Sequence, residues 1–193
     1  MLSKITKTIL SQIPENVKLN NTDIVLLQKH KGFIVGLNEK IATRFYDILF
    51  ANEVTKAIFK EGERPIREAS LKRWIVKTFD SEFDDKYWEW QTFVGILHIK
   101  RAVKNNMMVT MIGAVTEIII EEVINALPKD EAILILKAWI KLSGIITSLV
   151  VEGYRLFYMV AIENVTGLTA VLLENVVKTE IDNLIADNQK YRI

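Results

Sequence analysis

The stretch WQTFVGILHIKRAV, Trp90 to Val103, places one of the chain's two histidines, His98, among large apolar side chains. Its apolar residues recur at helical spacing, and Gln91, Val94 and Ala102 fall on the same helical face as His98. The nearby lysines fall on the opposite side, so the pattern predicts an imidazole that faces the protein interior. Such a histidine is either a core residue with a hydrogen bond or a ligand, and the surrounding sequence has to decide.

The composition excludes several classes of protein. Half of the 193 residues are apolar and a quarter are charged, which predicts one ordered domain or a domain with an appendage. The 25 basic and 24 acidic residues give a net charge of +1, so we expect no nucleic-acid partner. Without cysteine there can be no disulfide, thiolate zinc site or cysteine nucleophile. The N-terminal stretch is interpreted as an amphipathic helix and not as a signal peptide, and the longest uncharged run, Asn105 to Thr116, is too short for a membrane span. We therefore expect a soluble cytoplasmic protein.

The fold is predicted to be all-α, because the chain has only 8 glycines and 3 prolines and carries no hairpin signal. Residues 1–20 predict an N-terminal amphipathic helix, 21–163 a helical bundle, and 164–193 an amphipathic helical tail. Within the bundle, helices are expected over about 54–59, 65–79, 108–127 and from about 130 past 162, and the polar Lys104, Asn105 and Asn106 suggest where the helix of His98 ends.

Two helix starts carry capping signals. Asn21 or Thr22 is expected to cap the first helix of the bundle, which should bend near Gly32 and Gly36. Ser81, followed three residues later by Asp84, resembles a capping box that would open the helix of His98.

Few kinds of site can be built on His98 alone. Zinc takes at least three protein ligands, and no second histidine or acidic metal motif stands nearby. Glycine-rich phosphate loops and nucleophile elbows are absent too. Haem needs only one axial histidine, because the porphyrin supplies four nitrogens. The other histidine, His30, lies among Gln28, Lys29 and Lys31 and is expected to be a solvated surface residue.

Three stretches carry a family resemblance: DDKYWEWQTFVGILHIKR (84–101), IATRFYDILF (41–50) and, between them, ASLKRWIVKTFDSEFDDKY (69–87). In pattern and spacing they resemble the protoglobin and globin-coupled sensor family. The first is similar to that family's proximal-histidine helix, and the second resembles the helix whose Phe-Tyr pair enters the distal pocket. The sequence departs from the family where Met107 and Met108 replace aromatic residues on the proximal side.

This resemblance implies a globin-like helical bundle that binds haem b, with His98 as the axial ligand of the iron. Tyr46 would donate a hydrogen bond to a bound diatomic gas (O2, CO or NO), and Arg67 is a further distal candidate. The implied cofactor-binding residues are Phe45, Tyr46, Leu49, Ser70, Leu71, Trp74, Val94, Leu97 and His98. Lys100, Arg101 and Lys104 would either pair with the haem propionates or form a solvated basic face, which we favour.

The resemblance implies a single-domain sensor globin, a binding protein more than an enzyme. Two alternatives stay open: a haem-free globin fold used for signalling or protein interaction, and a haem enzyme acting on NO or peroxide. The apolar last long helix predicts a homodimer. Its candidate seam is Leu142, Ile146, Leu149, Val150, Tyr154 and Phe157.

Overall fold

The computed structural model describes residues 1–188, and all regular structure in this range is helical, which confirms the all-α prediction. The helices, in chain order, are α1 Leu2–Gln12, α2 Asn21–Lys29, α3 Lys31–Gly36, α4 Asn38–Ala51, α5 Glu53–Lys56, α6 Arg64–Asp80, α7 Asp85–Lys100, α8 Asn105–Ala126, α9 Lys129–Thr166 and α10 Ala170–Asp187. A short 3-10 helix, Glu15–Val17, lies between α1 and α2.

The chain divides into two compact units, Met1–Tyr154 and a second that begins at Arg155. The N-terminal helix α1 belongs to the first unit, where it packs against α7. At this contact the buried Thr6 hydroxyl donates a hydrogen bond of 2.9 Å to Thr92 Oγ1. The second unit contains the end of α9 and helix α10.

The core of the first unit lies where α9 crosses the other long helices. The rings of Phe79 on α6 and Trp139 on α9 stack with their centroids 5.9 Å apart. Burial of one such side chain stabilises the fold by roughly 1.5–3 kcal/mol. Four of the suggested dimer-seam residues are buried inside this unit and are therefore not available to a second subunit: Leu142, Ile146, Leu149 and Val150.

Among the helices of residues 1–188, only α9 has the length and the apolar composition that a membrane-crossing helix needs. Half of its most apolar stretch is buried within the protein. A buried core helix meets the same two criteria, and α9 supplies much of the core described above.

Both predicted caps are misplaced. Helix α2 is capped by Asn20, whose Oδ1 accepts from the Asp23 amide at 2.9 Å while the Asp23 carboxylate accepts from the Asn20 amide at 3.0 Å. Helix α7 is capped by Asp84, which accepts from the Tyr87 amide at 2.8 Å. The predicted Ser81 capping box is wrong because Ser81 is the residue that ends α6.

The backbones of α7 and α9 touch at two glycines. A Cβ atom on Gly95 would lie 2.5 Å from the carbonyl oxygen of Val150 and 2.9 Å from the amide nitrogen of Tyr154. A Cβ atom on Gly153 would lie 3.0 Å from the side chain of Thr92. Gly95 therefore serves the close packing of two helices.

Replacing Gly95 with alanine is expected to destabilise the protein by roughly 2–3 kcal/mol, because two backbones must separate to admit the methyl group. Urea unfolding measures the change. Gly113→Ala is the matched control: Gly113 lies in the exposed part of α8 with no atom within 4 Å of an added Cβ, so it should gain about 0.5–1 kcal/mol. Equal effects at the two glycines would contradict the packing role of Gly95.

Candidate functional site

Five helices of the first unit, α4, α6, α7, α8 and α9, enclose a cavity of about 370 Å³. This size falls in the usual range of ligand pockets, about 300–1,000 Å³. The structure brings all nine residues predicted from the sequence to the lining of this cavity: Phe45, Tyr46, Leu49, Ser70, Leu71, Trp74, Val94, Leu97 and His98.

His98 is held in one tautomer by the backbone of its own helix. Its Nδ1 lies 2.7 Å from the carbonyl oxygen of Val94, and a carbonyl can only accept, so Nδ1 carries the proton. Burial lowers the pKa of His98; the bond to Val94 raises it, and the charge of Arg101 lowers it further. The ring is therefore neutral near pH 7 and keeps a lone pair on Nε2, to which no described residue is hydrogen-bonded.

Tyr46 presents a protonated hydroxyl to the same cavity. Its ring packs edge-on against Phe45 and Phe59, with centroid distances of 5.1 and 5.8 Å. Burial raises the pKa of Tyr46 to about 12, although the charges of Arg67 and Arg101 oppose this shift. None of the described residues forms a hydrogen bond with the hydroxyl, which is accessible from the cavity. It can donate to a ligand.

The remaining lining residues are mostly apolar, and apart from Met107 and Met108, which the resemblance placed on the proximal side, the sequence did not predict them. These further lining residues are Ile58, Phe59, Trp90, Val103, Met107, Met108, Met111, Ile112, Val115, Ile146, Thr147, Val150 and Val151. The helical spacing of Met107, Met108, Met111, Ile112 and Val115 marks one face of α8 and could have indicated a shared wall. For α9 the sequence carried no such signal, because that helix is apolar on several faces.

A buried polar network links the cavity wall on α6 to α7. Trp74 Nε1 donates to Gln91 Oε1 at 3.1 Å, and Gln91 Nε2 donates to the hydroxyls of Tyr87 and Thr78 at 2.8 and 3.3 Å. Gln91 is completely buried. A buried amide that satisfies both its acceptor and donors specifies one arrangement, so this network fixes the position of Trp74.

A second polar group lies at the edge of the cavity, where α6 begins and α7 ends. Both guanidinium NH groups of Arg101 donate to the Glu63 carboxylate, at 2.9 and 3.0 Å, and Arg67 Nε donates to it at 2.7 Å. We favoured a solvated face for Arg101, and this expectation is wrong because Glu63 holds its side chain. Lys100 and Lys104 are exposed, as expected.

The family model for Protoglobin matches residues 6–157 of the chain. The chain belongs to the Protoglobin family. The match covers the first unit from Thr6 onwards and every residue that lines the cavity. Among curated proteins, none shows significant sequence similarity to the chain.

Solved globin domains share this fold. The chain is similar to the globin domain of the Geobacter sulfurreducens globin-coupled sensor, with a TM-score of 0.67 and 20% identity over 70% of this chain and 91% of that one. It is also similar to the ferric form of the globin domain of E. coli DosC, with a TM-score of 0.57 and 12% identity over 77% and 97%. The ferrous form gives a TM-score of 0.59 and 12% identity over 78% and 97%. The globin-like architecture is thereby confirmed.

His30 lies away from the cavity, and the prediction that it is solvated is wrong. It is buried with 8% of its surface exposed, and its Nε2 lies 3.0 Å from the Glu131 carboxylate on α9. It links the junction of α2 and α3 to α9, and thus has a structural role in the first unit.

The Glu63 ion pairs are expected to make stability depend on pH. The bond from Arg101, then the Lys60 amide and Arg67, lower the pKa of Glu63 from its ordinary 4.5 to about 2, against the effect of burial. A depressed folded-state pKa stabilises the protein above the unfolded value, and this contribution is lost as pH falls from about 4.5 towards 2.

Urea unfolding of Glu63→Gln should therefore show a deficit against wild type that is largest near pH 7 and shrinks below about pH 4.5. Glu61→Gln, on an exposed neighbour, is the control and should match wild type throughout. A Glu63→Gln deficit that stays constant with pH would show that the carboxylate charge is not responsible.

Proposed function

We propose that this globin binds haem through His98, takes a diatomic gas (O2, CO or NO) at the iron, and uses this binding to sense the gas. The observation that carries the proposal is the contact of His98 Nδ1 with the Val94 carbonyl oxygen, which leaves the Nε2 lone pair free at the wall of an apolar cavity. The Geobacter sulfurreducens globin domain named above belongs to a globin-coupled sensor, which supports the sensing role.

The residues of the cavity fit haem in chemistry. Haem, when bound, would supply an iron that can take a diatomic gas. Phe45, Leu71 and Val94 provide apolar surface for a porphyrin, and the hydrogen bond to Val94 keeps the lone pair of His98 on Nε2. Covalent attachment as in c-type haem requires cysteine, which the chain lacks, so the proposed cofactor is haem b.

Tyr46 is the proposed distal hydrogen-bond donor. Its raised pKa keeps the proton on the hydroxyl, and no described residue competes for it. A hydroxyl that donates to a ligand carrying partial negative charge stabilises the bound state by roughly 1–3 kcal/mol. The chain thus offers a histidine ligand on α7 and a hydroxyl donor on α4.

A cytoplasmic location and a homodimer complete the proposal. The half-buried apolar stretch of α9 supports a soluble protein. For a dimer, α9 offers exposed apolar side chains at Ile133, Leu134 and Ile140 in place of the buried residues first suggested. Homodimerisation stays a prediction.

The visible spectrum of purified protein supplied with haem tests the axial ligand. Wild type should show an intense Soret band that shifts on reduction and with CO, and His98→Ala should lose this spectrum because the axial nitrogen is gone. His98→Gly should regain it when imidazole is added. His30→Gln, at the other histidine, is the control and should keep the wild-type spectrum.

A protein that shows no Soret band with haem, and for which wild type and His98→Ala behave alike, would contradict haem binding. The chain would then be a haem-free interaction module. If the oxygenated protein consumed NO, the protein would instead be a haem enzyme that acts on NO.

Tyr46→Phe should speed the release of oxygen by roughly 5- to 150-fold, because it deletes one hydrogen bond worth roughly 1–3 kcal/mol. Stopped-flow displacement of oxygen measures this rate. Since Phe keeps the ring contacts, haem content and the deoxygenated spectrum should match wild type. Phe50→Leu, a change in the same aromatic group, controls for packing. Equal oxygen release from wild type and Tyr46→Phe would rule out the donor role.

A further inference from the structure

Two arginines carry all the formal charge at the lining of the cavity. Arg67 on α6 and Arg101 at the end of α7 line it, and no acidic residue does among residues 1–188. The rest of the lining is apolar apart from a few neutral polar groups, among them Tyr46 and Ser70. An apolar cavity with cationic groups at one edge matches a ligand that has an apolar body and a negatively charged end.

One carboxylate serves both arginines, so a positive charge remains. Glu63 accepts from Arg101 through both of its oxygens and from Arg67 through one. Glu63 does not itself line the cavity. Two guanidinium groups and one carboxylate give a net charge of +1 at the cavity edge. Each arginine also keeps NH groups that are not hydrogen-bonded to Glu63.

The arginines are held in place without a ligand. Glu63 also accepts from the Lys60 amide at 3.0 Å, and the Arg101 guanidinium lies 5.8 Å from the centre of the Phe59 ring. About 27% of the Arg101 side chain and 31% of the Arg67 side chain are exposed, so both are only partly solvated. A preorganised, partly desolvated guanidinium binds a carboxylate better than a mobile exposed lysine does.

We propose that Arg67 and Arg101 form the carboxylate-binding edge of the cavity and, resting on the proposed function, hold the haem propionates. Glu63 positions the two guanidinium groups and does not contact the ligand. Lys100 and Lys104, the other basic residues at this end of α7, point to solvent and take no part. The edge selects occupants that carry a carboxylate over neutral molecules of the same shape.

The test compares haem with its dimethyl ester, in which both propionates are neutral. Each is loaded on the full chain, and its transfer to an excess of a haem-scavenging apoprotein is followed by the Soret band. Wild type should lose the ester roughly tenfold faster than haem, since charge-assisted hydrogen bonds are removed. This comparison needs no mutation and therefore does not depend on the folding of a variant.

Variants then assign the effect to the two arginines. Arg67→Gln and Arg101→Gln should each release haem several-fold faster than wild type but release the ester at the wild-type ester rate. Lys100→Gln, on the exposed side of α7, should release both ligands as wild type does. A purely structural role of the arginines would speed the release of both ligands equally.

Two results would overturn the proposal: equal release of haem and ester from wild type, or equal losses of both ligands in the arginine variants. Failure of the proposed function looks different, because wild type would then give no His98-dependent Soret band with either ligand. In that case the assignment to haem propionates falls with it.

Discussion

The contact between the backbones of α7 and α9 is the constraint on which the site depends. Because Gly95 lacks a side chain, the carbonyl of Val150 can lie against α7 where a methyl group would sit at 2.5 Å. Gly153 likewise lacks the side chain that would collide with Thr92, so α7 and α9 are in close contact at two positions. His98 lies within one turn of Gly95, and Val150 and Val151 form part of the same cavity wall. The distance between the imidazole and that wall is therefore set by main chain, which has fewer ways to adjust than side chains have.

Polar contacts fix the rest of α7 around this crossing. Near its start the buried Gln91 joins it to α6 through Trp74, and the hydroxyls of Thr6 and Thr92 join it to α1. At its end, Arg101 joins it to the start of α6 through Glu63. The helix that carries the proposed iron ligand is thus tied to α9 by main-chain packing, to α1 by one hydroxyl contact and to α6 by two polar contacts. A sensor requires two states with different ligand contacts, and any second state of α7 must change at least one of these ties.

Whether a feature of the fold or the site could be predicted depends on how far apart in the sequence its contacting residues lie. The inward face of His98 and the lining role of Phe45, Tyr46 and their seven companions were predicted, because helical spacing is local and the resemblance added the pairing of the helices. His30 was misjudged because its partner, Glu131, is 101 residues away and its neighbours in sequence are polar. Arg101 was misjudged for the same reason, since Glu63 lies 38 residues away. The error at Ser81 differs: Asp84 caps α7 as an aspartate ordinarily does, and two capping residues three apart cannot be ranked without knowing where the preceding helix ends.

A single physical property, the low polarity of the cavity, sets the protonation of both groups proposed to act there. Burial disfavours whichever form of a group is charged, so it lowers the pKa of His98 and raises that of Tyr46. The two pKa shifts have opposite signs, but both keep the group uncharged across the neutral range. The imidazole therefore keeps a lone pair and the phenol keeps its proton. Charge is confined to the edge, where Glu63 compensates for the burial of Arg101 and raises the pKa of that guanidinium. Neutral groups at the wall and fixed cations at the rim are what a ligand with an apolar body and carboxylate ends requires, so the polarity of the cavity and the charge at its edge support the same class of occupant.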